Sequence, residues 1–414
     1  MWYILLSEFI RDLRKQKLRA FLTIMAISWG TFAVILLLAF GQGLSSKMIE
    51  GLLGGGNQVM MIYPGQTSTE FNGLPPGRRI RFTEEDLRLI QERVPGIAYI
   101  SPQYGRHNMN LRSPHHSVNT YGEGVGPDYE IMRTVFPAQG SRFINPNDVA
   151  EQRRVVFLGD EIAAELFPDN DAVGSTLFID ATPFTIIGLM QPKLQTSMNN
   201  GPDSRRAIMP YTTYRNMYNE RYLGSILVSP ENPQLQQHTV DEIMKVLAGR
   251  YQFDPADTEA VFIWDFIEFE EMNRKVADGI TLFLFSVGFF TLLIAGVGVA
   301  NIMYVVVKER THEIGVKKAL GARRKHILLQ FITESLLISF AGGLLGIAAA
   351  SGIIRFVISL NLTEGAGEFF GQPILSYQVV LVTVGLLTLI GFAAGVFPAR
   401  KAAALQPVEA LRYE

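Results

Sequence analysis

The sequence predicts an α-helical membrane protein with four transmembrane helices and a large mixed α/β external domain inserted between helices 1 and 2. Three observations predict it. Four apolar runs, Ala20–Phe40, Ile280–Val307, Ile327–Ile354 and Val379–Phe397, match or exceed the roughly 20 residues a helix needs to cross the hydrocarbon layer. Cations crowd one side of these runs: Arg11, Arg14, Lys15, Lys17 and Arg19 precede the first, and Arg400 and Lys401 follow the last. Most of the acidic residues lie in residues 44–275, a stretch long enough to bury a core of its own.

The element order follows from pattern and charge. Before the first run, Ile4, Leu6, Phe9, Ile10 and Leu13 recur at helical spacing opposite Glu8, Arg11, Asp12 and Lys15, which predicts an amphipathic helix along the inner leaflet. The first run is longer than the 7 to 15 residues of a typical signal-peptide core and no A-x-A cleavage site follows, so it is read as a retained span. Between the second and third runs, residues 308–325 (KERTHEIGVKKALGARRK) hold seven Lys/Arg against two Glu, whereas residues 361–377 carry only Glu364 and Glu368. Positive charge sets orientation, so both termini and this basic loop are expected in the cytoplasm.

The external stretch reads as alternating strands and helices. Asn57–Tyr63 is β-rich, Thr83–Val94 opens with a Thr-x-x-Asp start signal and places Leu87, Ile90 and Val94 on one face, and Ile97–Tyr104 is extended. The order recurs as Gly224–Ser229, a helix over Leu235–Leu247, and Ala260–Trp264. Two strand-helix-strand units at opposite ends predict one subdomain made from both ends, bracketing another that holds strands at Arg154–Leu158, Thr176–Asp180 and Phe184–Met190 and a short helix at Asp160–Phe167.

Composition and motifs weigh against catalysis. With a net charge of −2 there is no basic excess for nucleic acid, and the lack of cysteine removes disulfides, thiolate metal sites and a cysteine nucleophile. Gly54-Gly55-Gly56 lacks the Gly-Lys-Ser/Thr of a phosphate loop and reads as a flexible joint after span one. His107, His115 and His116 lack the spacing and acidic partners of a metal site, so none is expected. Glu268, Glu270 and Glu271 read as a solvated stalk face. Within the spans, Gly342 and Gly346, Gly391 and Gly395, and Gly288, Gly296 and Gly298 mark helix packing, either within one chain or at a seam between two copies. Glu334, the only acid deep in the third run, either snorkels inward or pairs with Arg323 or Lys325.

Asn301-Ile302-Met303, Glu309-Arg310-Thr311, Glu313-Ile314-Gly315 and Lys318-Ala319-Leu320-Gly321-Ala322, continuing through Gln330-Phe331 and Glu334 to Gly342-Gly343, resemble the hallmark of MacB/FtsX-like permeases of ABC transporters. Pro398-Ala399-Arg400-Lys401-Ala402-Ala403, Pro407 and Ala410-Leu411-Arg412-Tyr413-Glu414 are similar to the family's closing motif, and Lys17-Leu18-Arg19-Ala20-Phe21-Leu22-Thr23 to its start of span one. Tyr63-Pro64-Gly65 and Phe184-Thr185-Ile186-Ile187-Gly188 resemble parts of the family's periplasmic core, where the likeness is weakest.

The resemblance implies a layout. A cytoplasmic amphipathic helix occupies 1–19, spans occupy 20–43, 276–307, 327–358 and 378–398, a coupling loop lies at 308–326, a short external loop at 359–377 and a cytoplasmic tail at 399–414. The periplasmic domain, 44–275, has porter-like halves at about 44–114 and 215–275 around an inserted subdomain at about 115–214. It further implies a non-catalytic inner-membrane subunit paired with a second permease copy or a related permease. ATP and Mg are expected on a separate cytoplasmic ATPase; an adaptor, an outer-membrane channel and membrane lipids are further partners the family allows.

The coupling interface is expected at Glu309, Arg310, Thr311, Glu313, Ile314, Gly315, Lys318, Gly321, Ala322 and Arg323. If helix continues from span two, Thr311, Ile314 and Lys318 share one face, and Gly315 and Gly321 permit close approach and a turn. Attraction to anionic lipid explains the cations of this loop but not Thr311, Glu313, Ile314 and Gly315. The alternative within the resemblance is an FtsX-like regulator that transmits ATPase state to an external cell-wall hydrolase without moving cargo.

Overall fold

The computed structural model describes residues 17–56, 58–168, 172–195, 199–360, 371–406 and 410. The expected amphipathic helix before residue 17, Glu364 and Glu368, and Pro407 and residues 411–414 of the closing motif lie outside the described residues. The helices are α1 (Lys17–Leu53), α2 (Glu84–Arg93), α3 (Asp160–Leu166), α4 (Tyr211–Tyr218), α5 (Gln236–Tyr251), α6 (Phe266–Glu309), α7 (Thr311–Ala319), α8 (Arg324–Ser359) and α9 (Tyr377–Ala404). The strands are β1 (Met60–Pro64), β2 (Ile97–Arg112), β3 (Ser117–Val125), β4 (Val155–Leu158), β5 (Thr176–Ile179), β6 (Thr182–Leu189), β7 (Arg206–Pro210), β8 (Ser225–Pro230) and β9 (Val261–Asp265). The chain divides into two compact units, residues 1–47 with 275–414, and residues 48–274.

In the first unit, α1, α6, α8 and α9 are the helices long and apolar enough to cross a membrane. Each runs past its apolar window, and the 44 residues of α6 extend about 66 Å. Glycine sets how closely they pack. A Cβ on Gly346 would lie 2.6 Å from the Ser28 carbonyl of α1, and one on Gly342 would lie 2.9 Å from that of Ile24. Gly391 and Gly395 face Ser339 and Ser335 of α8, whose Ser335 hydroxyl donates to the Gly391 carbonyl at 2.8 Å. Gly288 meets Val34 and Gly296 meets Ile390, whereas a Cβ on Gly298 would meet no atom of this chain within 4 Å. These glycines bring the chain's own helices together.

In the second unit, β2, β8, β1 and β9 lie side by side, every neighbour antiparallel. Strands from both ends of the segment therefore share one sheet, in which β1-α2-β2 and β8-α5-β9 interleave as split β-α-β units. Alternation along the strands divides the core. Met60, Ile62, Ile226 and Val228 face a cluster with Ile90 of α2 and Ile243 and Leu247 of α5, while Met61 and Leu227 face a second cluster with Met132 and Phe266. Asp86 closes the start of α2 as expected, accepting the Thr83 backbone N–H at 2.6 Å.

β2 is twice the expected length and belongs to a second assembly. A register shift between Arg106 and Met109, where Asn108 has φ 59°, bends it. It pairs with β3 from Gln103 onward, on both sides of the bend, and with β5 beyond it, and the pairings β3–β7, β7–β4, β4–β6 and β6–β5 close the circuit. Six strands thus form a barrel, which leaves no open edge in this part.

Gly54, Gly55 and Gly56 are not a free joint: all three are buried, a Cβ on Gly54 would lie 1.9 Å from the Leu194 carbonyl, and the Thr134 hydroxyl donates to the Leu53 carbonyl at 3.0 Å. Glycine is needed there for close backbone approach. Glu268 and Glu271 are exposed, and Glu270 pairs with Arg274 at 2.6 Å. His107 packs against Tyr121 with ring centroids 4.8 Å apart and the planes tilted by 55°.

Candidate functional site

The basic loop folds as a short helix lashed to the membrane bundle. Backbone at Arg310 (φ −96°, ψ 13°) ends α6, and α7 starts at Thr311. The Thr311 hydroxyl donates to the Lys308 carbonyl at 2.8 Å, satisfying one of the last carbonyls of α6. Ile314 is 3% exposed and packs in the bundle core with Val307, Ile327 and Phe331. Lys318 Nζ donates to the carbonyls of Ala403, at 2.9 Å, and of Leu405, placing a cation on the C-terminal end of α9. Gly321, at φ +95°, reverses the chain, with its N–H bonded to Lys318 O and that of Ala322 to Lys317 O, both at 3.0 Å.

Arg310 anchors the other side. Its guanidinium meets the Glu334 carboxylate at 3.1 and 3.2 Å, with the two side chains 13% and 12% exposed. Gln330 donates to the same carboxylate at 3.1 Å. Glu334 thus pairs with neither Arg323 nor Lys325. Glu313 lies 3.7 Å from Arg310 and 3.2 Å from Lys317, so α7 carries an ionic chain along one flank. Glu309 pairs with Arg19 of α1 at 2.8 Å.

Among the expected interface residues, the structure separates two sets. Thr311, Ile314 and Gly315 are buried against the chain itself and Lys318 is held by α9, so the face they share anchors α7 to the bundle. Glu313, Gly321 and Arg323 face outward, as do two residues sequence reading passed over, Val316 at 38% and Leu320 at 84% exposure. They sit four apart, neighbours on one helical face, and that spacing amid cations was the available signal.

A second constellation was missed altogether because its members are scattered along the chain. In the unit of residues 48–274, Arg133, Asp203, Arg206 and Glu123 are almost completely buried together. Asp203 takes Arg133 at 3.0 Å, Arg206 at 3.2 Å and Lys193 at 2.7 Å; Glu123 takes Arg206, and accepts from Gln103 and Tyr129, both at 2.7 Å. Burial alone would raise the Asp203 pKa, but Arg133, Arg206 and Lys193 outweigh it and hold the carboxyl well below the usual range. With its charges paired and its carboxylates filled by donors, this network reads as a structural centre.

Residues 20–246 match the model of the MacB-like periplasmic core domain, and residues 285–407 match that of the FtsX-like permease C-terminal domain. The chain belongs to the MacB/FtsX-like permease family. It is an ABC transporter permease of that type and a multi-pass membrane protein, with four apolar helices and a mixed α/β domain between the first and second. Relatives include the macrolide export ATP-binding/permease protein MacB of Bdellovibrio bacteriovorus, 30% identical over 99% of this chain and 61% of that one, and of Azoarcus sp., 32% identical over 98% and 58%. The chain thus spans about three fifths of the curated relatives it matches. Solved structures similar to it include the periplasmic region of MacB from Actinobacillus actinomycetemcomitans (19% identity, TM-score 0.42, 55% of this chain and 97% of that one). Another is the extracellular domain of the transporter YknZ (17%, 0.41, 50% and 100%).

Proposed function

We propose that this MacB/FtsX-like permease couples ATP hydrolysis by a cytoplasmic ATPase, lying outside residues 1–414, to motion of its external domain, and so drives export or extrusion of a cargo beyond the inner membrane. The observation that carries the reading is α7. Its inner face is tied to α6 by Thr311, to the bundle core by Ile314 and to α9 by Lys318, while Val316 and Leu320 are turned outward among Arg323, Arg324 and Lys325. An exposed apolar pair ringed by cations fits a groove with an apolar floor and acidic rim. Because α7 is anchored to several helices, a push on its outer face is passed to the whole bundle. In this reading the loop is cytoplasmic, ATP and Mg belong to the partner, and the chain itself is non-catalytic and works with a second permease copy.

The test is co-purification with the ATPase in mild detergent. Val316→Asp with Leu320→Asp is expected to reduce ATPase recovery at least tenfold while leaving the thermal unfolding of the permease within about 0.5 kcal/mol, as for surface substitutions. Full recovery of the ATPase with that double variant would sink the assignment of the docking face.

A further inference from the structure

At the end of the bundle where α6 gives way to α7, a cavity of about 580 Å³ opens beside the anchoring contacts. Val305, Val307 and Leu405 give it apolar walls, and Thr311 places it at the root of α7. Lys308 from α6 and Lys401 from α9 both line it, and among the described residues no lining side chain is a carboxylate. Lys401 Nζ lies 5.7 Å from the centre of the Tyr304 ring, a cation–π contact that holds one ammonium at the cavity. Neither lysine is paired with an acidic side chain among the described residues.

We propose that this cavity binds the phosphate headgroup of an anionic phospholipid, with the first part of its acyl chains along the apolar wall. The proposal rests on the reading that this end of the bundle meets the cytoplasmic leaflet. The ammonium groups of Lys308 and Lys401 supply the charge that a phosphodiester needs, and basic pockets between membrane helices on that side take such headgroups. A soluble phosphate would gain nothing from Val305, Val307 and Leu405, whereas a lipid uses both halves of the site. Its volume falls within the range of small-ligand pockets. The lipid would lie against the break between α6 and α7, so occupancy would brace the docking helix.

The experiment is native mass spectrometry of the delipidated full chain in neutral detergent, titrated with phosphatidylglycerol or phosphatidylcholine and with no ATPase present, so its failure is separate from failure of ATPase docking. One phosphatidylglycerol is expected to bind at least tenfold more tightly than phosphatidylcholine. Lys308→Ala with Lys401→Ala should weaken that site about thirtyfold, roughly fivefold per cation. Arg323→Ala with Lys325→Ala, which removes the same charge from an exposed stretch, should change it less than twofold. Val305→Trp keeps both lysines and fills the apolar part, and should weaken binding tenfold or more even if the lysine variants fold poorly. Equal binding of the two lipids, equal losses in the two charge variants, no loss with Val305→Trp, or displacement of the lipid by millimolar glycerol phosphate would each overturn the proposal.

Discussion

Arg310 and Glu334 show how far one pair of side chains holds α7 in place. Both are almost out of water, so removing one partner leaves the other as a buried charge, which costs about 3–5 kcal/mol. Arg310→Ala is therefore expected to lower the thermal stability of the purified permease strongly, and Arg310→Met with Glu334→Gln to recover most of the loss; equal stability of the single and double variants would show that the pair is not coupled. Asp203 makes the opposite kind of statement, one that reads out in pH. Its folded carboxyl titrates below the unfolded value of about 3.9, so its contribution is fully present above about pH 5 and is lost as pH falls past the unfolded value toward the folded one. Acidification from pH 7 to pH 3.5 should then lower the unfolding temperature of wild type more than that of Asp203→Asn, which starts lower because Arg133 is left buried with a neutral partner. Parallel pH profiles would remove Asp203 from the acid response.

At the scale of elements, the glycines of the bundle divide by what a Cβ would meet. Gly346 has the Ser28 carbonyl at 2.6 Å and Thr31 Cβ at 2.7 Å, whereas Gly352 has nothing within 4 Å. Gly346→Ala should cost about 1–3 kcal/mol by forcing α8 off α1, while Gly352→Ala should be neutral or slightly stabilising, as read by thermal unfolding in detergent. Similar shifts from both would mean that helix propensity, and not packing, governs these sites. The same accounting explains which elements were legible in the sequence. The spans, α2, α5 and most strands announce themselves by run length, start signals and β-rich composition. β3 does not, because SVNTYGEGV reads as a polar turn. Gly122 and Gly124 sit in its strand where a Cβ would strike Met109 Sδ at 2.2 Å and Tyr214 Cβ at 2.4 Å, and Glu123 between them points into the charge network. β7 and α4 were missed for a related reason: RAIMP and YTTYRNMY are short, and tertiary burial of Arg206, Thr213 and Tyr214 overrides weak local preference. For the basic loop at residues 308–325, periodicity correctly grouped Thr311, Ile314 and Lys318 on one face. It carries no information about which way that face turns, and the break at Arg310 turned it inward.

The whole molecule joins two units with separate cores, and this has a testable consequence for the external one. Residues 48–274 contain both buried clusters of the sheet, the closed strand circuit and all five members of the charge network. The segment's ends are fastened inside the same unit: Thr134 holds the Leu53 carbonyl, and the Phe266 backbone N–H donates to Val59 O at 3.1 Å. A region of this size with a continuous core is in the range of independently folding domains. The excised fragment is therefore expected to unfold in one cooperative urea transition with a stability of about 5–15 kcal/mol, followed in parallel by far- and near-ultraviolet circular dichroism. Glu123→Ala in the fragment should abolish or greatly weaken that transition, because it strands Arg206 between the sheet and the barrel strands, β7 included, with one of its two carboxylates gone. A broad, non-coincident transition of the unmodified fragment would mean that its core depends on the membrane helices, and motion imposed at the bundle would then deform the external domain instead of moving it as a body.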